Sequence, residues 1–351
     1  MEVKALLKEL SEASGVSGYE AELRQIVMRE SEKYSDEVRM DKLGNVIALK
    51  KGTGGPWSLM LAAHMDEIGL IVSRIDKGFL RFTSVGGYDQ RVLLGQEVMV
   101  HGLKALPGII ASRPPHVLPE AEREKIVDMD QLFIDVGLTP EETKELVRVG
   151  DVVTIRGRFR ELGEDRVAGK ALDDRAGVAA ILDALRRLAG SDHLWDAYFV
   201  ATVQEEVGLR GAITSAYGIR PHIAVAVDLT FGDMPELSEA ESFPLGKGPC
   251  LALGPNIHPL MHQRLVEVAK EEEIPYQIEP VPGPSGTDAW AIQVSREGVP
   301  TGLVSIPGRS MHTPVETISL KDLERAGRLL ASFIRSLDEE FARKLGLGEG
   351  K

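Results

Sequence analysis

Histidines and carboxylates collect just past apolar runs in this chain. His64 and Asp66 follow the run 58–63, Glu205 and Glu206 follow 197–203, Asp228 follows 222–227, and His312 falls in the loop after 301–306. Asp173 stands where a helical pattern over 174–188 begins. Imidazole nitrogens mixed with carboxylate oxygens, and no thiolate among them, form a donor set for zinc, cobalt or manganese. One carboxylate can bridge two such ions, and the pair would then polarise a carbonyl and lower the pKa of a shared water. Neighbouring Glu205 and Glu206 could divide the labour, one ligating and the other reaching the water. Asp66, two residues beyond His64, is placed to orient that imidazole from behind.

Taken singly, each residue also has a structural reading. His64 could be a core imidazole, Glu205 with Glu206 a solvated turn, Asp228 a turn acid, and Asp173 an acid favoured by a helix macrodipole. The repeated placement after strands, at the edge where open α/β sheets bind ligands, sets a metal site beside those readings. Rival motifs fall away. His258 and His262 have the spacing of a helical metal pair but lack the accompanying Glu. Gly283-Pro284-Ser285-Gly286-Thr287 carries Thr where a nucleophile elbow needs Gly, and Gly52-Thr53-Gly54-Gly55 lacks the Lys of a phosphate loop.

The elements that must hold these residues alternate strand and helix. Ser17 to Glu20 reads as a capping box opening a helix with Leu23, Ile26 and Val27 on one face, and 37–50 reads as a hairpin around Leu43-Gly44-Asn45. The run 58–63 predicts a strand buried on both faces. From about Ile68 to Phe159 the rhythm changes to short alternating segments such as 79–85, 97–101 and 152–158, with one helix begun by a capping box at Thr139 and Glu142. Strand and helix then return: a helix over 174–188 closed by Gly190, strands at 197–203 and 222–227, a helix over 259–270, a strand at 301–306, and one long amphipathic helix over 320–345. The expectation is an α/β domain from residues 1–67 and 161–351, interrupted at 68–160 by a small β-rich domain.

These segments resemble the tetrahedral aminopeptidase family of metallopeptidases, which includes glutamyl and deblocking aminopeptidases and members labelled cellulase-like. The matching segments are Ala63-His64-Met65-Asp66-Glu67-Ile68-Gly69, Lys170-Ala171-Leu172-Asp173-Asp174-Arg175-Ala176-Gly177, Val203-Gln204-Glu205-Glu206-Val207-Gly208, Val227-Asp228, Gly286-Thr287-Asp288-Ala289, and Ile306-Pro307 through Met311-His312-Thr313-Pro314. They run in family order across most of the chain, with no departure at the six metal and base positions. The resemblance implies a mixed-sheet catalytic domain with an inserted barrel-like domain that mediates dimerisation, the dimers assembling into a tetrahedral dodecamer. It implies that Asp173 bridges two metals, that His64 and Asp228 complete one site, that Glu206 and His312 complete the other, and that Glu205 is the general base. Asp66 keeps its orienting role, and Gly286, Thr287 and Asp288 would line the substrate cleft.

Composition narrows the function further. With 351 residues the chain exceeds what one hydrophobic core fills. No segment supplies the roughly 20 continuous apolar residues of a membrane helix. A net charge of −13 without a basic stripe speaks against nucleic acid. The single cysteine, Cys250, excludes an internal disulfide and suits a reducing compartment, so a cytoplasmic protein is expected. The functional expectation is an aminopeptidase with two zinc or cobalt ions, manganese being a third choice, acting on peptides through a metal-bound water. The rivals are an acylamino acid deacylase on the same metals and a non-catalytic metal-stabilised scaffold. The preferred N-terminal residue is not legible.

Overall fold

A computed structural model describes residues 3–238 and 241–348. Its centre is an 11-stranded mixed sheet whose main path runs Glu37–Met40, Val46–Lys50, Asp196–Thr202, Ser58–His64, Ile223–Phe231, Thr301–Arg309, Glu316–Ser319, Arg166–Gly169, Arg160–Leu162. The four middle strands from Asp196–Thr202 to Thr301–Arg309 are mutually parallel. They are almost wholly buried, which is why they read as unbroken apolar runs rather than as alternation. Being parallel, they end on one edge, and Thr202 lies opposite His64 while Asp228 lies opposite Ser305. That edge is where the histidines and acids collect.

Alternate side chains along these strands feed two cores. Leu59, Leu61, Val225 and Val227 join Leu182, Leu185, Leu329 and Phe333 from helices Leu172–Leu188 and Leu320–Arg335 on one face. Met60, Ala62 and Ala224 join Ala212, Ala216 and Ile292 on the other. Burying each leucine or phenylalanine contributes roughly 1.5–3 kcal/mol, so the sheet edge that carries the acids is held on a rigid base.

Between Ser58–His64 and Arg166–Gly169 the chain forms a closed six-stranded barrel in the order Gly69–Asp76, Phe79–Val85, Phe133–Asp135, Ala105–Ala111, Glu97–His101, Val152–Ile155. Leu70, Val72, Leu80, Val98, Val100, Ile110, Ile134 and Val153 fill it as a separate core. Closure leaves no unpaired edge, so short strands suffice. The capping box at Thr139 and Glu142 forms as expected, each side chain accepting from the other's backbone N–H. The hairpin at 37–50 also forms, with Gly44 at φ +112.

Four expectations need correction. Ser17 and Glu20 form no capping box: helix Ala21–Ser31 has no side-chain cap, and the Ser17 hydroxyl donates instead to Asp66. The strand at 222–227 runs on to Phe231, so Asp228 sits within it rather than past its end. The strand expected over 152–158 stops at Ile155. The closing helix is two helices, Leu320–Arg335 and Glu339–Lys344, because Asp338 caps the second through the Phe341 N–H.

Candidate metal centre

Five groups from five separate segments converge at the carboxyl edge of the sheet. His64 is the last residue of its strand, and its Nε2 lies 3.3 Å from Asp173 Oδ1. His312, in the turn after Thr301–Arg309 at φ +59, places its Nε2 3.4 Å from Asp173 Oδ2 and 3.6 Å from Glu206. The ligand atoms of His64, Asp173 and Asp228 fall within 4.8 Å of one another, and so do those of Asp173, Glu206 and His312. Asp173 is common to both sets, with one oxygen turned to each imidazole. Glu205 stands apart from either trio, its carboxylate 3.9 Å from His64 Nε2.

Buried acids hold this arrangement in place. Asp66 is fully buried, and it accepts the backbone N–H groups of Glu205 at 3.0 Å and Glu206 at 3.2 Å as well as the Ser17 hydroxyl at 2.6 Å. Its Oδ1 also faces His64 Nδ1 at 3.6 Å. Asp174, joined to Asp173 by a cis peptide, accepts from the backbone of His64 at 3.2 Å and of Gly177 at 2.9 Å. A Cβ at Gly177 would lie 2.3 Å from that carboxylate, so any larger residue there would push Asp174 out of place. Glu316 accepts the N–H of Asp173 and the N–H of His312, both at 2.9 Å. Sequence reading missed Glu316. It sits four residues past His312 in an ordinary polar segment, and only the fold brings Asp173 beside it.

The electrostatics describe a site short of positive charge. Burial drives Glu205 up to about 8 and Glu206 up to about 7, with Asp288 adding repulsion at the first and Asp173 at the second. Burial likewise lifts Asp228 well above the carboxylate range, reinforced by Asp174 and Asp173. Burial opposes charge on Asp173 as well, but hydrogen bonds from His312 and His64 outweigh it and hold that acid well below the usual range. The hydrogen bond to Asp173 raises His312 to about 9 despite burial. Buried carboxylates in such numbers must either hold protons or share cations. Two donor sets of mixed nitrogen and oxygen sharing one carboxylate suit a pair of divalent ions.

A cavity of about 390 Å³ opens over these groups. Gly286 and Thr287 line it. Asp288 is buried instead, with its Oδ2 accepting from the Thr202 hydroxyl at 2.6 Å. His258 and His262 take no part: His258 precedes the helix Pro259–Glu271, and His262 Nδ1 meets the Ala252 carbonyl at 2.9 Å. Cys250 is buried, and burial lifts its thiol far above neutrality, which rules out a thiolate nucleophile.

Comparison with known proteins points to one family. The family described as M42 glutamyl aminopeptidase matches residues 44–329. The lysyl aminopeptidase of Pyrococcus furiosus is 41% identical over 338 residues, spanning 95% of this chain and 96% of its own. The TET aminopeptidase of Thaumarchaeota archaeon SCGC AB-539-E09 superposes with a TM-score of 0.93 at 40% identity, covering 98% of this chain and 99% of that one. The Pyrococcus horikoshii TET1 peptidase, described as able to assemble into a tetrahedron or a large octahedral shell, superposes with a TM-score of 0.86 at 33% identity over 96% of this chain and all of that one. Matched along nearly its whole length in sequence and in fold, the chain belongs to the M42 glutamyl aminopeptidase family and is a metallopeptidase that removes N-terminal residues from peptides.

Proposed function

We propose that Asp173 bridges two divalent ions, zinc or cobalt, that His64 and Asp228 complete one site and Glu206 and His312 the other, and that Glu205 is the general base. The observation that carries this is Asp173 itself, whose two carboxylate oxygens each face a different imidazole, at 3.3 and 3.4 Å. When bound, the ions would polarise the carbonyl beside the free N-terminus and make water acidic enough to attack it. Glu205 takes the proton from the attacking water and passes it to the leaving amine. Asp66 fixes the backbone of both glutamates and steadies the His64 ring, and Glu316 fixes the backbones of Asp173 and His312. The protein works in the cytoplasm as a homo-oligomer whose barrel domain pairs subunits into dimers and whose dimers form a closed shell of twelve. The assemblies named for the TET1 peptidase support that reading.

The test is hydrolysis of aminoacyl-p-nitroanilides and their N-acetylated counterparts by protein stripped with chelator and reloaded with zinc, cobalt or manganese. Cleavage of free but not acetylated substrates, restored by metal, is the expected result. Preferential cleavage of the acetylated set would make the enzyme a deacylase. Stoichiometric metal binding with no cleavage of either set would leave only a scaffold. The names of relatives do not supply the side chain, since lysyl and glutamyl carry opposite charges.

A further inference from the structure

The cavity over the candidate metal centre holds one ionisable group that neither the ligand sets nor the base uses. Leu229, Phe231, Val281, Leu303 and Met311 give it apolar walls, and Glu279 is set among them. The Glu279 Oε1 accepts from the Thr230 hydroxyl at 2.6 Å and Oε2 from the Ser305 hydroxyl at 2.6 Å. Among the described residues no cation pairs with it, and burial raises its pKa, only partly offset by the two hydroxyls. An ionised carboxylate accepts about four hydrogen bonds, so two positions remain open. A wall built to accept a neutral aliphatic side chain has no need of an acid, whose burial without a cation is costly.

The position of Glu279 relative to the metals follows from sheet register. Thr230 lies two residues beyond Asp228 and so shares its face, and Ser305 is the register partner of Asp228 in the parallel ladder. The carboxylate they hold is therefore bound between a position level with Asp228 on the neighbouring strand and one two residues, roughly 6–7 Å, further along. A substrate's α-amine is separated from its first carbonyl by a single carbon and stays among the ligand acids. The charge at the end of a Lys or Arg stem reaches further, and those stems can lie on apolar surface while the head finds a carboxylate.

We propose that Glu279 is the specificity-determining residue of this peptidase and selects peptides whose N-terminal residue is lysine or arginine. This rests on the aminopeptidase reading above. The metal-loaded full-length enzyme is assayed on lysyl, arginyl, leucyl and norleucyl p-nitroanilides, and so is Glu279→Gln, which keeps the size of the side chain. Wild type prefers lysyl over norleucyl, which has the same stem without the charge, by roughly 10-fold or more in kcat/KM, the range expected for a buried charged hydrogen bond. In Glu279→Gln the lysyl-to-leucyl ratio falls by a similar factor. Equal wild-type rates on lysyl and norleucyl substrates would overturn the proposal even if the variant failed to fold. A uniform loss on all four substrates in Glu279→Gln would overturn it too, making the residue an anchor for the α-amine or a structural acid. Silence of wild type on every substrate with every metal would overturn the aminopeptidase reading, and this inference with it.

Discussion

Asp66 Oδ1 accepts the backbone N–H of Glu205 at 3.0 Å while lying 3.6 Å from His64 Nδ1. One buried carboxylate thus couples the orientation of a metal-type imidazole to the backbone that carries the base. Its other oxygen takes the Ser17 hydroxyl and the Glu206 N–H, so little freedom is left at this corner. Burial disfavours the charge on Asp66, but the His64 imidazole 3.6 Å away and the Ser17 and Glu205 hydrogen bonds outweigh it and hold the acid below its ordinary value.

Replacing Asp66 should therefore disturb metal and base together. Asp66→Asn keeps the shape but loses the charge that orients His64, and such changes behind a ligand cost about 10–100-fold in metal affinity. Competition against a chelator reads the affinity, and kcat at saturating metal reads the second effect. An unchanged affinity with unchanged kcat would remove Asp66 from the site's supporting frame.

Glu205→Gln separates chemistry from binding. A general base contributes about 10²–10⁴-fold, so kcat should fall by that factor while two metal equivalents still bind, because neither donor set includes Glu205. Loss of one metal equivalent instead would show that Glu205 is a ligand and that the division of labour with Glu206 is reversed.

How much of this was open to the sequence depended on distance along the chain. The candidate ligand and base positions stood out because most of them follow an apolar run in the sequence, and a parallel sheet brings the ends of such runs to one edge. Glu316 and Glu279 were not, because each owes its place to a distant partner, Glu279 bonding Thr230 and Ser305 at least 26 residues away and Glu316 bonding Asp173, 143 residues away, besides the nearby His312. Ser17 misled for the opposite reason: its local pattern is that of a cap, but a buried carboxylate 49 residues on is a stronger acceptor for its hydroxyl. At residues 320–345 the apolar period continues across Ser336, so nothing in periodicity announced the break that Asp338 makes.

Metal loading should be proton-coupled, with a definite sign. His312 is raised to about 9 and Glu206 to about 7, so without metal both hold protons at pH values where free side chains would have lost them. Each raised group stabilises the metal-free fold below its unfolded value and loses that contribution as pH climbs through the folded one. Asp173, held low, contributes steadily across the same range. Ions must displace those protons. Affinity for zinc should accordingly rise from pH 6 to 9 and flatten above, and the gain in Tm on adding metal should widen over that window. Titration calorimetry in two buffers of different ionisation enthalpy should show net proton release at pH 7. A buffer-independent heat would contradict this assignment of protons.

The residue beside Asp66 carries a different kind of weight. Glu67 accepts Lys170 Nζ at 2.7 and 2.9 Å, Arg175 Nη2 at 2.9 Å and the Gly15 N–H at 3.0 Å, and all three side chains are buried. Burial alone would raise Glu67, but Arg175 and Lys170 outweigh it and hold the acid low, while burial pulls Lys170 down to about 8. The two partners therefore disagree on what the pair is worth, since the acid gains from the arrangement and the lysine loses. The sum is small while the cluster is intact, as is usual for buried ion pairs, but removing the acid strands two cations in the interior. Glu67→Gln should cost about 3–5 kcal/mol in denaturant unfolding, and Lys170→Met added to it should recover part of that loss. The sign for pH follows from Glu67: its contribution is present above the unfolded carboxylate value and disappears as pH falls through the lower folded one, so wild type should lose stability on acidification faster than the double variant. A loss below about 1 kcal/mol in Glu67→Gln, the level of an exposed pair, would mean that water reaches this cluster and that it does not brace the junction between sheet and barrel.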